Sequence, residues 1–397
     1  MQPAAMPPAV HTMIPPGVRS LLLATGVLLA SGFLPVRGQQ QTMSFEEYEP
    51  VSMLVVPAHP VTRAKYPFID VHNHQAEMPT QDLRLLVAEM DKLNMAVMVN
   101  LSGRGFKRLV NPDSSVSLGI HGGEYLKAAV DNANRTAPGR FLVFTNVDFT
   151  GIGRPGWSER AVRELEQDVR HGAAGLKIYK DLGLDLTDSS GQRVPVDDPR
   201  LDPIWEKCAE LKIPVLIHSG DPAAFWLPHD RFNERWLELK QFPGRHRHGR
   251  EPSWEQVMTE HFNLMRRHPR TTFISAHMGW LASDLTRLGR LLDEIPNLYT
   301  ELGAIIYDPG RQPRFAREWF IKYQDRVLFG KDIWAPREYH VYFRVLETAD
   351  EYFDYYRKRH AFWKLYGLDL PDDVLKKIYY KNALRLLPGI DATRFPE

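Results

Sequence analysis

With one cysteine, Cys208, in 397 residues, no disulfide can form within the chain. Cys208 falls in a helix-like run and reads as a small buried hydrophobe rather than a reactive thiol. An excess of either charge is also missing. Fifty Lys and Arg stand against 49 Asp and Glu, a formal net charge of +1, which argues against a nucleic acid or an anionic membrane surface as partner. No Gly-rich phosphate loop follows an early strand-like run, so the main signature of an open, doubly wound dinucleotide-binding sheet is lacking. There are no internal repeats, and beyond residue 38 no apolar run is long enough to span a bilayer. What is present is an ordinary globular balance, 43% apolar and 25% charged, able to bury a sizeable core.

The N-terminus carries a targeting pattern. Arg19 precedes an apolar stretch over 21–34, and Val36 and Gly38 supply small residues before the polar Gln39-Gln40-Gln41. Residues 1–38 therefore read as a secretory signal peptide cut after Gly38, leaving a mature chain in the periplasm or outside the cell with no stable membrane span. Residues 39–66 read as an arm packing across the base of the domain that follows.

From residue 68 two textures alternate. Short β-branched runs at 68–74, 95–101, 141–148, 175–179, 214–218, 272–277, 298–302 and 326–330 are separated by segments with helical spacing at 81–93, 124–136, 159–171, 203–212, 254–267, 283–294 and 314–323. A further helix is expected over 338–356 and a closing helix over 371–388. Eight strands each followed by a helix predict a closed parallel (β/α)8 TIM barrel over residues 67–390. Its longest insertion, 221–252, follows the fifth strand and reads as a lid or a substrate wall.

The polar residues that end the apolar runs carry the chemistry. His72 and His74 are two apart on the first strand and so share a side. Lys177 is on the fourth strand, His218 ends the fifth, His277 the sixth, and Asp332 follows the eighth. In a closed barrel those ends converge on one mouth, and imidazoles with a carboxylate make a site suited to Zn²⁺ and acceptable to Mn²⁺ or iron.

Taken together, Asp70-Val71-His72-Asn73-His74, Gly175-Leu176-Lys177, Ile217-His218, Ala276-His277-Met278-Gly279 and Leu328-Phe329-Gly330-Lys331-Asp332 resemble the amidohydrolase superfamily. The likeness is to its amidohydrolase-related branch, which includes aminocarboxymuconate-semialdehyde-decarboxylase-like proteins. The resemblance implies metal ligation by His72, His74, His218 and Asp332, with His277 as an acid/base. It implies one divalent ion, Zn²⁺ before Mn²⁺; a second ion bridged by carboxylated Lys177 is the lesser alternative. Lys331 departs from the pattern, since relatives commonly carry a small residue there; it brings positive charge to the mouth or points to solvent.

The expected reaction is hydrolysis of a carboxylic amide, ester or lactone, with Asp332 taking a proton from a water that the ion acidifies. Non-oxidative decarboxylation of a small aromatic or unsaturated acid uses the same residues, and a non-catalytic metal-retaining barrel that binds a ligand is the reading from another class. For the small-molecule substrate, Lys177, Tyr179, Trp280 and Trp334 are the binding candidates, with Trp226, Arg104 and Arg154 nearby. Glu301 ends the seventh strand, where a carboxylate either orients a ligand or sits in solvent or an ion pair. The basic run 244–250 reads as a solvated loop, with a metal or anion patch as its alternative. Barrels of this kind often pair, so a homodimer is the assembly to test for.

Overall fold

The computed structural model describes residues 42–110, 116–360 and 362–396; the signal peptide and cleavage point read at 1–38 lie outside them. The chain divides into a unit ending at Ser52 and a body from Met53. In the described part of the first, the Glu47 amide donates to Ser44 Oγ and the Ser44 amide to Glu47 Oε2, a local turn.

The body is built on β1 (Phe68–Asn73), β2 (Met95–Asn100), β5 (Phe141–Asn146), β6 (Gly175–Ile178), β7 (Val215–Ile217), β8 (Phe273–Ser275), β9 (Leu298–Glu301) and β10 (Val327–Leu328). These pair in that order, all in parallel. The circle closes where the Val71 amide donates to the Phe329 carbonyl at 2.9 Å and Asn73 bridges Asp332. This is the expected (β/α)8 barrel. The strands are buried along almost their whole length, as parallel strands covered by helices must be.

Helix starts and stops follow local chemistry. The helix Trp254–Arg267 has the expected bounds: Ser253 Oγ caps it by accepting from the Gln256 amide, Val257, Met258, Phe262, Leu264 and Met265 are buried, and Arg266 and Arg267 fill the last turn. The expected helix over 338–356 is instead Pro336–Glu347. Thr348 leaves it in extended conformation, and the Asp350 carboxylate holds the chain out of the helix by accepting from the His59 amide, His59 Nδ1 and Arg344 Nε. A hairpin of β3 (Lys107–Val110) and β4 (Val116–Gly119), not anticipated, stands between β2 and the helix Gly123–Thr136.

Residues 53–66 run extended along the body, with the Ala64 amide on the Leu93 carbonyl and the Lys65 amide on Glu347 Oε1. Those contacts lie at the strand-entry end of the barrel, away from the mouth. The tail forms Asp372–Lys376, a π turn Lys377–Lys381 and Asn382–Leu386. The Ile378 carbonyl within the π turn accepts from the Phe329 amide at 3.0 Å, so the tail helix covers the barrel's seam. Phe68, Phe329, Phe343 and Tyr379 pack together beneath that seam. Among the described residues no helix is long and apolar enough to cross a membrane.

Candidate metal centre

The end of β1 and the turn after β10 are tied by one buried carboxylate. Asp70 accepts from the His72 amide and the Lys331 amide on Oδ1, and from Asn73 Nδ2 and the Tyr339 hydroxyl on Oδ2. Burial pushes its pKa up to about 6 against the pull of Tyr339, Asn73 and the His72 amide. The Asp332 amide donates to the His72 carbonyl at 2.6 Å, and Asp332 sits at φ +83°, in the left-handed region. This geometry brings Asp332 Oδ1 to 3.6 Å from His72 Nε2 and 3.5 Å from His74 Nε2.

Hydrogen bonding fixes which ring atoms face the aspartate. The Leu101 carbonyl can only accept, so the Tyr179 hydroxyl donates to it at 3.1 Å. Ser102 Oγ then donates to Tyr179 at 3.0 Å and accepts from His74 Nδ1 at 2.7 Å. His72 Nδ1 likewise donates to Glu301 Oε1 at 2.9 Å. Both Nε2 atoms therefore carry lone pairs, and they meet a carboxylate oxygen with no hydrogen between them. His72 Nε2 is buried without a hydrogen-bond partner.

Burial holds His72 well below the usual imidazole range, helped by Lys177, and lowers His74 to about 4. Asp332 is pushed up by burial but held at about 2 by His72, His277, His74 and Lys177. Neutral imidazoles and an ionised carboxylate converging on a point are the donor set a divalent cation takes, and His72, His74 and Asp332 have ligand atoms within 4.8 Å of one another. The residues present fit a divalent metal.

The second such group is His72, His277 and Glu301. His218 belongs to neither among the described residues. Its Nδ1 lies 3.3 Å from His277 Nε2, and its own Nε2 is buried and unpaired. His277 Nδ1 donates to the Gly303 carbonyl at 2.6 Å, so in the neutral pair His218 Nδ1 is the donor and its Nε2 keeps the free lone pair. Burial lowers the His218 pKa, with His277 and Lys177 adding to it.

Glu301 is fully buried and works as an anchor: besides His72, it accepts from the His277 amide at 2.7 Å and from the Gly303 amide. That anchoring holds a strained turn. His277, Met278, Gly279 and Trp280 all have left-handed φ of 52° to 59°, costing about 1–2 kcal/mol at each non-glycine position.

The remaining candidates separate by position. The Lys177 ammonium is 1% exposed with no hydrogen-bond partner, and burial, offset by Asp332 and Glu301, lowers it to about 8. Lys177, Tyr179 and His218 line a cavity of about 580 Å³ walled by Phe106, Ile120, Val147, Phe149 and Leu182, with Arg154 at its edge. Tyr179 also serves the His74 relay, a role its sequence position did not disclose. Trp280 packs on the His277 and His218 rings at 4.5 and 5.7 Å, and Trp334 on Tyr339; neither lines that cavity. Arg104 is buried in a pair with Asp168 and Glu164. None of residues 221–252 lines the cavity, and Trp226 bonds to the Pro252 carbonyl within its own insertion. The basic run folds back on its surroundings, Arg247 onto Asp185 and His246 and His248 onto the Leu227 and Trp226 carbonyls.

No curated protein sequence matches the chain. Among solved structures it is similar to 2,6-dihydroxybenzoate decarboxylase in complex with 2,6-dihydroxybenzoate (17% identity, 81% of this chain and 99% of that one, TM-score 0.48). It is also similar to 4-oxalomesaconate hydratase from Rhodopseudomonas palustris (15%, 82% and 97%, TM-score 0.47) and 5-carboxyvanillate decarboxylase from Sphingomonas paucimobilis (15%, 81% and 99%, TM-score 0.47). The amidohydrolase family model matches residues 69–389, a span that begins just before His72 and His74 and runs past Asp332 to the tail helix. The chain belongs to the amidohydrolase family of enzymes.

Proposed function

We propose that the protein is a metal-dependent hydrolase of a carboxylic amide, ester or lactone, with one divalent ion, Zn²⁺ or Mn²⁺, held by His72, His74 and Asp332 and completed by His218. The observation that carries this is the convergence of two lone-pair nitrogens and one ionised oxygen at 3.5 to 3.6 Å. Once bound, such an ion acidifies water and polarises a carbonyl. Asp332, held ionised by the neighbouring imidazoles and Lys177, accepts a proton from the attacking water and returns it to the leaving group. His277, held by Gly303 and backed by Trp280, has Nε2 as its proton-handling atom, 3.3 Å from the His218 Nδ1 that shares a proton with it. Lys177, in the cavity lining, supplies an unpaired ammonium for a substrate carbonyl or carboxylate.

That same ammonium favours a second reading, decarboxylation of a small aromatic or unsaturated acid, because a substrate carboxylate would relieve its isolation. The test is a screen of the Zn²⁺- and Mn²⁺-loaded protein against amide, ester and lactone panels, with CO₂ release from aromatic acids measured in parallel. Hydrolysis is expected; CO₂ release without hydrolysis reverses the ranking. The double variant His72→Ala, His74→Ala is expected to lose bound metal and turnover together, and unchanged metal content defeats the site assignment. The targeting pattern in the sequence of residues 1–38 supports the further proposal of an exported enzyme, checked by fractionating cells that express the full chain.

A further inference from the structure

The lysine beside the metal-facing aspartate neither reaches the mouth nor points to solvent. Lys331 is 1% exposed, whereas the Asp332 side chain beside it is 24% exposed. Its ammonium donates to Glu338 Oε2 at 2.6 Å and to the Ile333 carbonyl at 3.3 Å. It also lies 5.2 Å from the Tyr356 ring centroid and 5.7 Å from those of Tyr339 and Tyr342. Glu338 is in turn shared with Arg357 at 2.9 Å. A buried ammonium is costly unless paired; here Glu338 pairs it, and the aromatic faces add to that pairing.

The main chain on either side of this side chain is equally constrained. The Lys331 amide is bound to Asp70 Oδ1, the Asp332 amide to the His72 carbonyl, and Asp332 itself is left-handed. A non-glycine residue keeps that conformation when its surroundings impose it. Three things converge at one residue: a buried charge pair, an aromatic box, and the strained turn that aims Asp332.

We propose that Lys331 is a positioning residue for the metal centre: locked to Glu338 inside the Tyr339, Tyr342 and Tyr356 box, it holds the turn that aims Asp332 Oδ1 at His72 and His74. The inference rests on the reading of Asp332 as a ligand. It makes the helix Pro336–Glu347 and the segment carrying Tyr356 and Arg357 part of the metal site's support, although neither contributes a ligand.

The test uses the apo protein and Co²⁺ or Zn²⁺ alone. Lys331→Met keeps the length and fills the box without the charge. It is expected to fold, to bind Zn²⁺ about tenfold more weakly or worse, and to shift the visible Co²⁺ spectrum. Glu338→Gln should give a smaller loss in the same direction, and it carries the prediction if Lys331→Met does not fold. Arg357→Gln removes the outer partner only and should leave affinity within about threefold of wild type. Wild-type Zn²⁺ affinity and an unshifted Co²⁺ spectrum in whichever of the two folds would overturn the proposal, as would a loss in Arg357→Gln equal to that in Lys331→Met. Asp332→Asn separates the two layers. If it too binds Co²⁺ normally, the ligand reading has failed; if it loses Co²⁺ while Lys331→Met does not, only the positioning role has.

Discussion

Replacing Glu301 by Gln changes one atom and tests how the metal centre is supported. The carboxylate accepts three N–H groups, from His72 Nδ1 and the His277 amide on Oε1 and from the Gly303 amide on Oε2, and it is fully buried. A glutamine has one acceptor atom. If its oxygen keeps His72 and His277, its NH₂ faces the Gly303 N–H, donor against donor; the flipped orientation sets the NH₂ against two donors. The milder arrangement leaves a buried donor unmet, at about 1–3 kcal/mol, and His72 also loses the negative partner that raises its basicity. Losses of this kind amount to about 10- to 100-fold in metal affinity, or about 1.4–2.8 kcal/mol. The assay is competition for Zn²⁺ against a chromophoric chelator, with urea unfolding of the apo variant to establish that it is folded. A folded Glu301→Gln protein whose Zn²⁺ affinity stays within about threefold of wild type would refute the reasoning.

Two further outcomes follow from the same neighbourhood. A Cβ added at Gly330 would stand 2.0 Å from Glu301 Oε2 and 3.0 Å from the His72 Cβ, so Gly330→Ala should displace both groups and abolish tight Zn²⁺ binding, read by metal content after dialysis. His261 is buried between the Ser219 and Ser275 hydroxyls and lowered by burial to about 3, below its unfolded value of 6.5. The unfolded chain therefore binds the extra proton. This group's contribution is full above pH 6.5 and is lost as pH falls toward 3, at up to about 1.4 kcal/mol per pH unit. The stability difference between wild type and His261→Gln, measured by urea unfolding, should shrink on acidification from pH 7 to pH 4.5; a pH-independent difference would show that His261 does not titrate this way.

The features visible in the sequence are those set by local pattern. The barrel strands read as apolar runs, several closed by a polar residue such as His74, His218 or His277, because a parallel strand is buried on both faces until it reaches the mouth. The helix Trp254–Arg267 was readable because its cap, apolar stripe and basic last turn all agree. What escaped depends on contacts distant in the chain. The helix expected to run to 356 stops at Glu347, and the chain after it is held out of the helix by His59 and Arg344 meeting Asp350. Tyr179 looked like a substrate platform from its place after a strand; its hydroxyl's service to His74 needs Leu101 and Ser102, which come from another strand. Lys331 was placed at the mouth or in solvent because its neighbour is there, whereas Glu338 and three tyrosines draw its side chain into the interior. The hairpin of β3 and β4 joins no barrel strand, so the repeating strand–helix rhythm gave no hint of it.

The seam between β1 and β10 has a consequence for how the protein comes into being. His72 and His74 leave the ribosome early, while Asp332 and Ile378, whose carbonyl receives Phe329, emerge near the end of synthesis. Such long-range pairing is slow to form, because the loop must close before its contacts contribute. The ligand atoms of the proposed metal site thus meet only once the barrel has shut. A chain truncated before the tail helix would carry every ligand and still lack the cover that keeps them together.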